Sequence, residues 1–268
     1  MNQQVKLLSV FALAMLAGTK KISEQQKQAA KTSLNIVFIG DSITEGNGPA
    51  TPPVQAAAYL LRQLEVDKLD FSNQGHSGFT TVDFLPSQGE TFRQVELAAD
   101  SLQKINQSMM IFSVMLGTND SAMDGPLGSP VSATAYRKNL NHIIDRLLKD
   151  YPRCKIILHQ PVWYSPNTYN RSRYLADGLK RLQSYFPEIT ALIETYSHTH
   201  PQQVFPGDKS AFNFFRKNYK IYMLPEKGQQ GIFYLHPNDK GAGKLGNFWG
   251  AAIYKVIQKL QLLKTINN

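Results

Sequence analysis

The chain has 268 residues, of which 42% are hydrophobic and 18% charged, so it has enough apolar surface for a sizeable core and is not globally disordered. This length favours one α/β domain over two smaller domains. The net charge is +9, but Lys and Arg are scattered, with no run longer than a pair such as Lys20-Lys21 and no aromatic-basic motif. The charge therefore indicates solvated side chains and no nucleic-acid partner.

The first residues of the chain have the pattern of an export signal. Lys6 precedes an apolar run over residues 7–18 that is too short to span a bilayer comfortably. We expect residues 1–18 to be a signal peptide, residues 19–33 a flexible lead, and the mature protein to begin near Thr19. The expected location is secreted or periplasmic, with no stable membrane insertion after signal removal. An uncleaved N-terminal anchor is the alternative.

Short apolar runs that are typical of buried strands then alternate with helical patterns. The runs predict strands over 34–39, 69–73, 109–116 and 155–159, and helices over 54–64 and 135–150. Strands that alternate with helices imply right-handed crossovers and a parallel sheet. We therefore expect an α/β fold of three layers, α/β/α, with a parallel sheet of about five strands in a single domain over 34–268.

The second half of the chain is harder to assign. Helices are expected near 174–186 and 189–195, and a last helix near 240–262, but the aromatic-rich sequence between them has no clear periodicity. Cys154 precedes an apolar run and has no neighbouring base, so it is expected to be a small buried hydrophobic residue and not a catalytic thiol.

Polar, glycine-containing segments follow three of the predicted strands, where parallel sheets bind ligands. Ser42 comes directly after the first strand, in Gly40-Asp41-Ser42, where a tight turn would expose its hydroxyl for nucleophilic attack. The alternative is a helix cap, since residues 42–45 match the capping-box pattern. Gly46 and the residues after it interrupt any long helix that such a cap would serve, and this weakens the alternative.

Four blocks in order resemble those of the SGNH (GDSL-like) hydrolases, a family with a flavodoxin-like fold. They are Gly40-Asp41-Ser42-Ile43-Thr44, Asn73-Gln74-Gly75-His76-Ser77-Gly78, Gly117-Thr118-Asn119-Asp120 and His236-Pro237-Asn238. The resemblance implies a serine esterase with Ser42 as nucleophile and His236 as general base. It also implies an oxyanion hole made of the Ser42 and Gly78 N–H groups and the Asn119 side-chain amide.

Each of these residues also has a purely structural interpretation. Gly78 is equally expected as a turn glycine, and Asn119 as a loop-capping side chain. No cofactor or metal is expected: His198 and His200 have a spacing of two, but no carboxylate or Cys partner accompanies them.

The sequence departs from the family at the catalytic acid, which the family places three residues before the histidine. Phe233 stands there. We therefore expect a Ser42–His236 dyad whose imidazole is oriented by a neutral acceptor. A carboxylate from elsewhere, namely Asp239, Asp208 or Glu226, is the alternative.

The expected substrate is an O-acetylated carbohydrate of the sialic acid or xylan type. This rests on Trp163 and Tyr164, which follow a strand near the expected site and whose rings suit stacking on sugar faces. Packing beneath the rim is the alternative interpretation of both rings. The alternative functions are a lipase or lysophospholipase acting on long acyl chains, and an inactive carbohydrate-binding protein on the same fold.

Overall fold

A computed structural model describes residues 31–267, and its centre is a five-stranded parallel sheet. The strand order is β2-β1-β3-β4-β5, and every neighbouring pair is parallel. The strands are β1 (Thr32–Gly40), β2 (Val66–Gly75), β3 (Met109–Met115), β4 (Lys155–Leu158) and β5 (Val204–Pro206). Their carboxyl ends all lie at one edge of the sheet.

Helices connect the strands and cover both faces of the sheet. They are α1 (Ser42–Glu45), α2 (Pro52–Leu61), α3 (Glu90–Ile105), α4 (Ala133–Asp150), α5 (Leu175–Thr199), α6 (Ala211–Tyr222) and α7 (Asp239–Asn267), and a 3-10 turn lies at Pro86–Gln88. The start of α4 is set locally, because the Ser132 hydroxyl accepts a hydrogen bond from the Ala135 N–H.

Alternate residues of β1 point to opposite layers of helices. On one face, the Phe38 ring stacks on Trp249 of α7 with 6.1 Å between ring centroids. On the other face, Asn35 Nδ2 donates to the Leu102 and Asn106 carbonyls at the end of α3. β1 is therefore buried on both faces, which explains its nearly continuous apolar sequence. These contacts confirm the three-layer α/β/α fold.

A two-stranded antiparallel hairpin lies outside the main sheet. Its strands are β6 (Glu226–Gly228) and β7 (Gly231–Phe233), joined by the two-residue turn 229–230. Gly231 has a φ of +85°, a conformation that favours glycine. The hairpin leads directly into the loop that carries His236.

The structure corrects two of the predicted boundaries. Residues 32 and 33, expected in the flexible lead, belong to β1. The two helices expected over 174–186 and 189–195 are one helix, α5, with Pro187 inside it. Proline removes one backbone donor and commonly ends a helix, so the sequence favoured a break there. The predicted signal peptide lies outside the described residues.

Within 31–267, no helix is both long and apolar enough to cross a bilayer.

Cys154 is buried, as predicted, and burial raises the pKa of its thiol to about 12. A protonated, inaccessible thiol is not a nucleophile.

Candidate active site

Ser42 lies at the point where β1 ends and α1 begins. A Cβ atom on Gly40 would overlap Thr44 Oγ1 and lie 2.7 Å from the Met115 carbonyl oxygen, so only glycine fits this turn. Asp41, not Ser42, caps α1, because its Oδ1 accepts the Ile43 N–H at 2.9 Å. The predicted alternative role of Ser42 as the cap is therefore wrong, and its hydroxyl remains available for other partners.

The Ser42 hydroxyl contacts His236. Its Nε2 lies 2.9 Å from Ser42 Oγ, across 194 residues of sequence. The histidine loop is held by the end of α6, where the Leu224 N–H donates to the His236 carbonyl and the Asn238 N–H donates to the Tyr222 carbonyl. The structure thus brings together two residues that the sequence predicted would meet.

The other nitrogen of His236 faces Glu226 of β6. Nδ1 lies 3.0 Å from both carboxylate oxygens, and the His236 backbone N–H donates to Glu226 Oε1 at 3.2 Å. Both side chains are partly buried, with 21% and 26% of their surface exposed. The expected dyad with a neutral acceptor is therefore wrong, because a carboxylate orients the imidazole.

The hairpin explains how a carboxylate reaches this position although Phe233 occupies the expected site of the acid. Glu226 and Phe233 are paired across β6 and β7, so their side chains lie on the same face of the hairpin. The sequence did contain a signal: Gly228 and Gly231 flank two residues between short runs, which is a hairpin pattern.

The end of β2 and the loop that follows it lie against α1. Asn73 Nδ2 donates to the Thr44 and Glu45 carbonyls at 3.0 and 3.1 Å, and the Ser77 hydroxyl donates to the Glu45 carboxylate. Gly78 in this loop is exposed and has a φ of +81°, so it has the structural role expected of a turn glycine. Within residues 31–267 neither the Gly78 nor the Ser42 N–H donates to another protein group, which leaves both donors for a substrate oxygen.

Asn119 is fixed at both ends of its side-chain amide. Its Nδ2 donates to the Phe79 carbonyl at 2.8 Å, which places the amide beside the Gly78 loop, and its Oδ1 accepts from the Tyr174 hydroxyl at 2.6 Å. An amide nitrogen carries two N–H groups, so one remains after the bond to Phe79. Asn119 therefore has the loop-capping role expected as the alternative, and its remaining N–H is still available to an oxyanion.

Two buried carboxyl groups support these loops. Asp120 accepts from the backbone N–H of Thr81, and burial raises its pKa to about 7. Burial also raises the pKa of Asp41 to about 6, although the Ile43 N–H that it accepts acts in the opposite direction. Asp120 thus ties the loop after β3 to the loop after β2, and Asp41 caps α1 within its own turn.

A comparison with family models assigns the chain. Residues 38–244 match the GDSL-like lipase/acylhydrolase family, and this span contains all four sequence blocks described above. The chain belongs to this family. It is a carboxylic ester hydrolase, and the predicted resemblance is confirmed.

Solved structures agree with this GDSL-like hydrolase fold. An acetyl esterase mutant with an acetate ion has a TM-score of 0.55 and 17% identity, with 85% of this chain and 99% of that one covered. The Clostridium thermocellum family 3 carbohydrate esterase has a TM-score of 0.54 and 17% identity, over 85% and 99% of the chains. The lipase/acylhydrolase from Enterococcus faecalis has a TM-score of 0.53 and 17% identity, over 82% and 94%. No curated protein sequence matches significantly.

The two aromatic residues predicted to bind substrate are not on the surface of the GDSL-like hydrolase. Trp163 is 6% exposed and packs on Tyr219 of α6 at 5.4 Å, and Tyr164 is fully buried with its hydroxyl 2.9 Å from Ser121 Oγ. The prediction that they stack on a sugar is therefore wrong. They follow β4 as expected, but α6 and the 165–174 loop cover them.

A second Ser–His pair lies inside the sheet of the GDSL-like hydrolase. Ser113 Oγ is 2.9 Å from His159 Nε2, and His159 Nδ1 accepts the Asp208 backbone N–H at 2.9 Å. Because Nδ1 is the acceptor, Nε2 carries the proton and cannot take one from Ser113. Burial also lowers the pKa of His159 to about 3. This pair is structural.

Proposed function

We propose that the chain hydrolyses its ester substrates through a covalent acyl-enzyme formed on Ser42, with His236 as general base and Glu226 as the orienting acid. The observation that carries this proposal is the continuous chain of contacts from Ser42 Oγ to His236 Nε2 and from His236 Nδ1 to Glu226. Because the carboxylate accepts the Nδ1 proton, Nε2 has a free lone pair directed at the serine hydroxyl.

The reaction has two steps, the acylation of Ser42 and the hydrolysis of the acyl-enzyme. His236 Nε2 takes the Ser42 proton as Oγ attacks the ester carbon, and the carbonyl oxygen becomes an oxyanion. The Ser42 and Gly78 N–H groups and the remaining Asn119 N–H are the donors for that oxyanion. The imidazolium gives its proton to the departing alcohol, which leaves the acyl group on Ser42. His236 then deprotonates a water molecule that attacks the acyl carbon, and the imidazolium protonates Ser42 Oγ as the acid is released.

A small cleft beside the reacting pair favours a short acyl group. Ser42 and His236 line it together with Ile43, Pro52 and Ala242, and its volume is about 10 Å³. That volume is roughly one water-sized sphere, so the cleft cannot enclose a long acyl chain. We therefore propose acetyl esters as the substrates, in preference to the long-chain esters of a lipase or lysophospholipase.

We propose carbohydrate as the alcohol component, of the sialic acid or xylan type. The aromatic argument for this choice fails, since Trp163 and Tyr164 are buried. Polar side chains on the rim of the cleft, Asn47 and Asp239, suit a hydroxylated alcohol better than an apolar one. The neighbours described as an acetyl esterase and a carbohydrate esterase agree with this proposal.

The test is an ester panel on wild type and Ser42→Ala. p-Nitrophenyl acetate, butyrate and palmitate report acyl length, and acetylated xylan and O-acetyl sialic acid report the alcohol. We expect acetate to be preferred, and Ser42→Ala to lose several orders of magnitude of activity and all fluorophosphonate labelling. Activity of Ser42→Ala within tenfold of wild type would remove Ser42 from the mechanism. Preference for palmitate would support the lipase, and inert wild-type protein that binds acetylated glycan would support the binding protein.

We also propose that the protein acts outside the cytoplasm, as a secreted or periplasmic enzyme. The support is the short apolar run over residues 7–18 after Lys6. Mass spectrometry of protein from its native source should find a mature chain that begins near Thr19. Intact Met1 on cytoplasmic protein would contradict this proposal.

A further inference from the structure

A tyrosine that no part of the mechanism above uses touches the oxyanion hole. The Tyr174 hydroxyl donates to Asn119 Oδ1 at 2.6 Å, and its side chain is 3% exposed. Its sequence position, 55 residues after Asn119 and just before α5, belongs to none of the four blocks.

The geometry gives this hydroxyl control over the direction of a catalytic donor. An amide is planar, so holding Oδ1 fixes the orientation of both N–H groups on Nδ2. One of them is bound to the Phe79 carbonyl at 2.8 Å. With Oδ1 also held, the second N–H has a single direction, and an oxyanion donor works only when its direction is set before the reaction.

We propose that Tyr174 is a positioning residue that orients the Asn119 amide for oxyanion stabilisation. The inference rests on the proposed function, because it assigns Tyr174 a role in the same acyl-transfer site. Tyr174 itself touches neither the substrate nor the reacting atoms.

Tyr174 is held firmly enough to serve as a reference point. The Thr168 carbonyl accepts both the Tyr174 N–H at 3.2 Å and the Leu175 N–H at 3.1 Å. Leu175 has a φ of +56°, a strained conformation for a leucine that the surrounding contacts must hold. Burial raises the pKa of Tyr174, so the hydroxyl stays protonated and keeps its donor proton across the working pH range.

The same loop also supports the acid. Asn167 Nδ2 donates to the Gln230 and Ile232 carbonyls at 3.2 and 2.8 Å, and the Gln229 N–H donates to the Tyr169 carbonyl at 2.7 Å. These bonds hold the hairpin that carries Glu226. The loop over residues 165–174 therefore connects the acid to the tyrosine that orients the oxyanion donor.

The test is Tyr174→Phe, which removes only the hydroxyl, with Tyr164→Phe as the matched control. Tyr164 is also a buried tyrosine, with 5.4 Å between its ring centroid and that of Tyr174, but its hydroxyl contacts Ser121 and not Asn119. On p-nitrophenyl acetate, we expect Tyr174→Phe to lower kcat by about tenfold with little change in KM, since orientation matters mainly in the transition state. Tyr164→Phe should stay within about twofold of wild type. Each rate is divided by the concentration of active sites, which is measured by complete labelling with a fluorophosphonate. Unfolded molecules are not labelled and therefore do not lower the calculated kcat.

A double-mutant cycle separates positioning from general structural support. If Tyr174 acts through Asn119, then Tyr174→Phe should lower kcat no further in an Asn119→Ala background. An equal loss in both backgrounds, a loss no larger than that of Tyr164→Phe, or loss of the folded protein would overturn the proposal. These outcomes differ from failure of the proposed function, which would appear as an active Ser42→Ala variant.

Discussion

Glu226 on β6 is paired with Phe233 on β7 across the hairpin. Phe233 occupies the position, three residues before His236, where the family has its acid, so the carboxylate of this chain lies on the opposite strand. Phe233 is buried at this position, while Glu226 reaches His236 Nδ1 at 3.0 Å. The carboxylate therefore lies on the same face of the hairpin as position 233. The carboxylate that contacts His236 is thus placed by strand register and not by distance along the sequence from the histidine.

Replacing Glu226 by Gln should lower kcat by roughly 10²- to 10⁴-fold, because an amide can donate to Nδ1 and so favour the tautomer whose Nε2 is protonated. The shape of the hairpin is retained in this variant. Steady-state kinetics on p-nitrophenyl acetate measure the loss. Asp208→Asn is the matched control and should stay close to wild type, since the Asp208 carboxylate accepts the Ser210 and Ala211 N–H groups and does not line the cleft.

A second variant tests whether the strand exchange is the right explanation. The double substitution Glu226→Gln with Phe233→Asp returns a carboxylate to the opposite strand and should recover part of the lost activity. If Glu226→Gln keeps more than a tenth of wild-type kcat, Glu226 is not the orienting acid.

Asn119→Ala should reduce kcat by roughly 10² to 10³ with little change in KM, because an oxyanion donor acts mainly in the transition state. The variant also loses the bond to the Phe79 carbonyl, so its melting temperature should be recorded beside its kinetics. A rise in KM alone would mean that Asn119 binds the ground-state substrate.

Local patterns predicted much of this structure from the sequence. The buried strands β1 and β3 are apolar runs, and the turn at Gly40 needs a residue without a side chain, so both leave a signal within a few residues. The pairing of Glu226 with Phe233 and the contact of Tyr174 with Asn119 depend on tertiary register, which adjacent residues do not encode. Trp163 and Tyr164 were misplaced for a related reason: their position after β4 was predicted, but the elements that bury them come later in the chain.

Ser113→Ala should keep wild-type kcat, since Ser113 belongs to the buried pair whose histidine presents a protonated nitrogen. It should lower the free energy of unfolding by about 1–3 kcal/mol, because the His159 Nε2 proton loses its buried acceptor. Urea denaturation and kinetics per fluorophosphonate-labelled site measure the two effects. A loss of activity like that of Ser42→Ala, in protein that is still folded, would contradict the structural assignment of this pair.

Asp41→Asn should stabilise the protein more at neutral than at acid pH. The pKa of Asp41 is raised to about 6 in the folded protein, against 3.8 for an unperturbed aspartate. The folded state therefore holds this proton more tightly than the unfolded state, so the wild type loses stability as the pH rises from about 4 to 6. Asparagine has no charge to bury and can still accept the Ile43 N–H through Oδ1.

The free energy of unfolding of Asp41→Asn, minus that of the wild type, should thus rise between pH 4 and 6 by up to about 3 kcal/mol. The charge of Asp41 also contributes to the raised pKa of Asp120, which is about 7, so removing it should extend the gain toward pH 7. Urea denaturation of both proteins at pH 4, 5, 6, 7 and 8 measures this difference. Because the cap of α1 is retained, most of the esterase activity should remain. Two stability curves that run parallel over this range would show that Asp41 does not titrate between pH 4 and 6 in the folded protein.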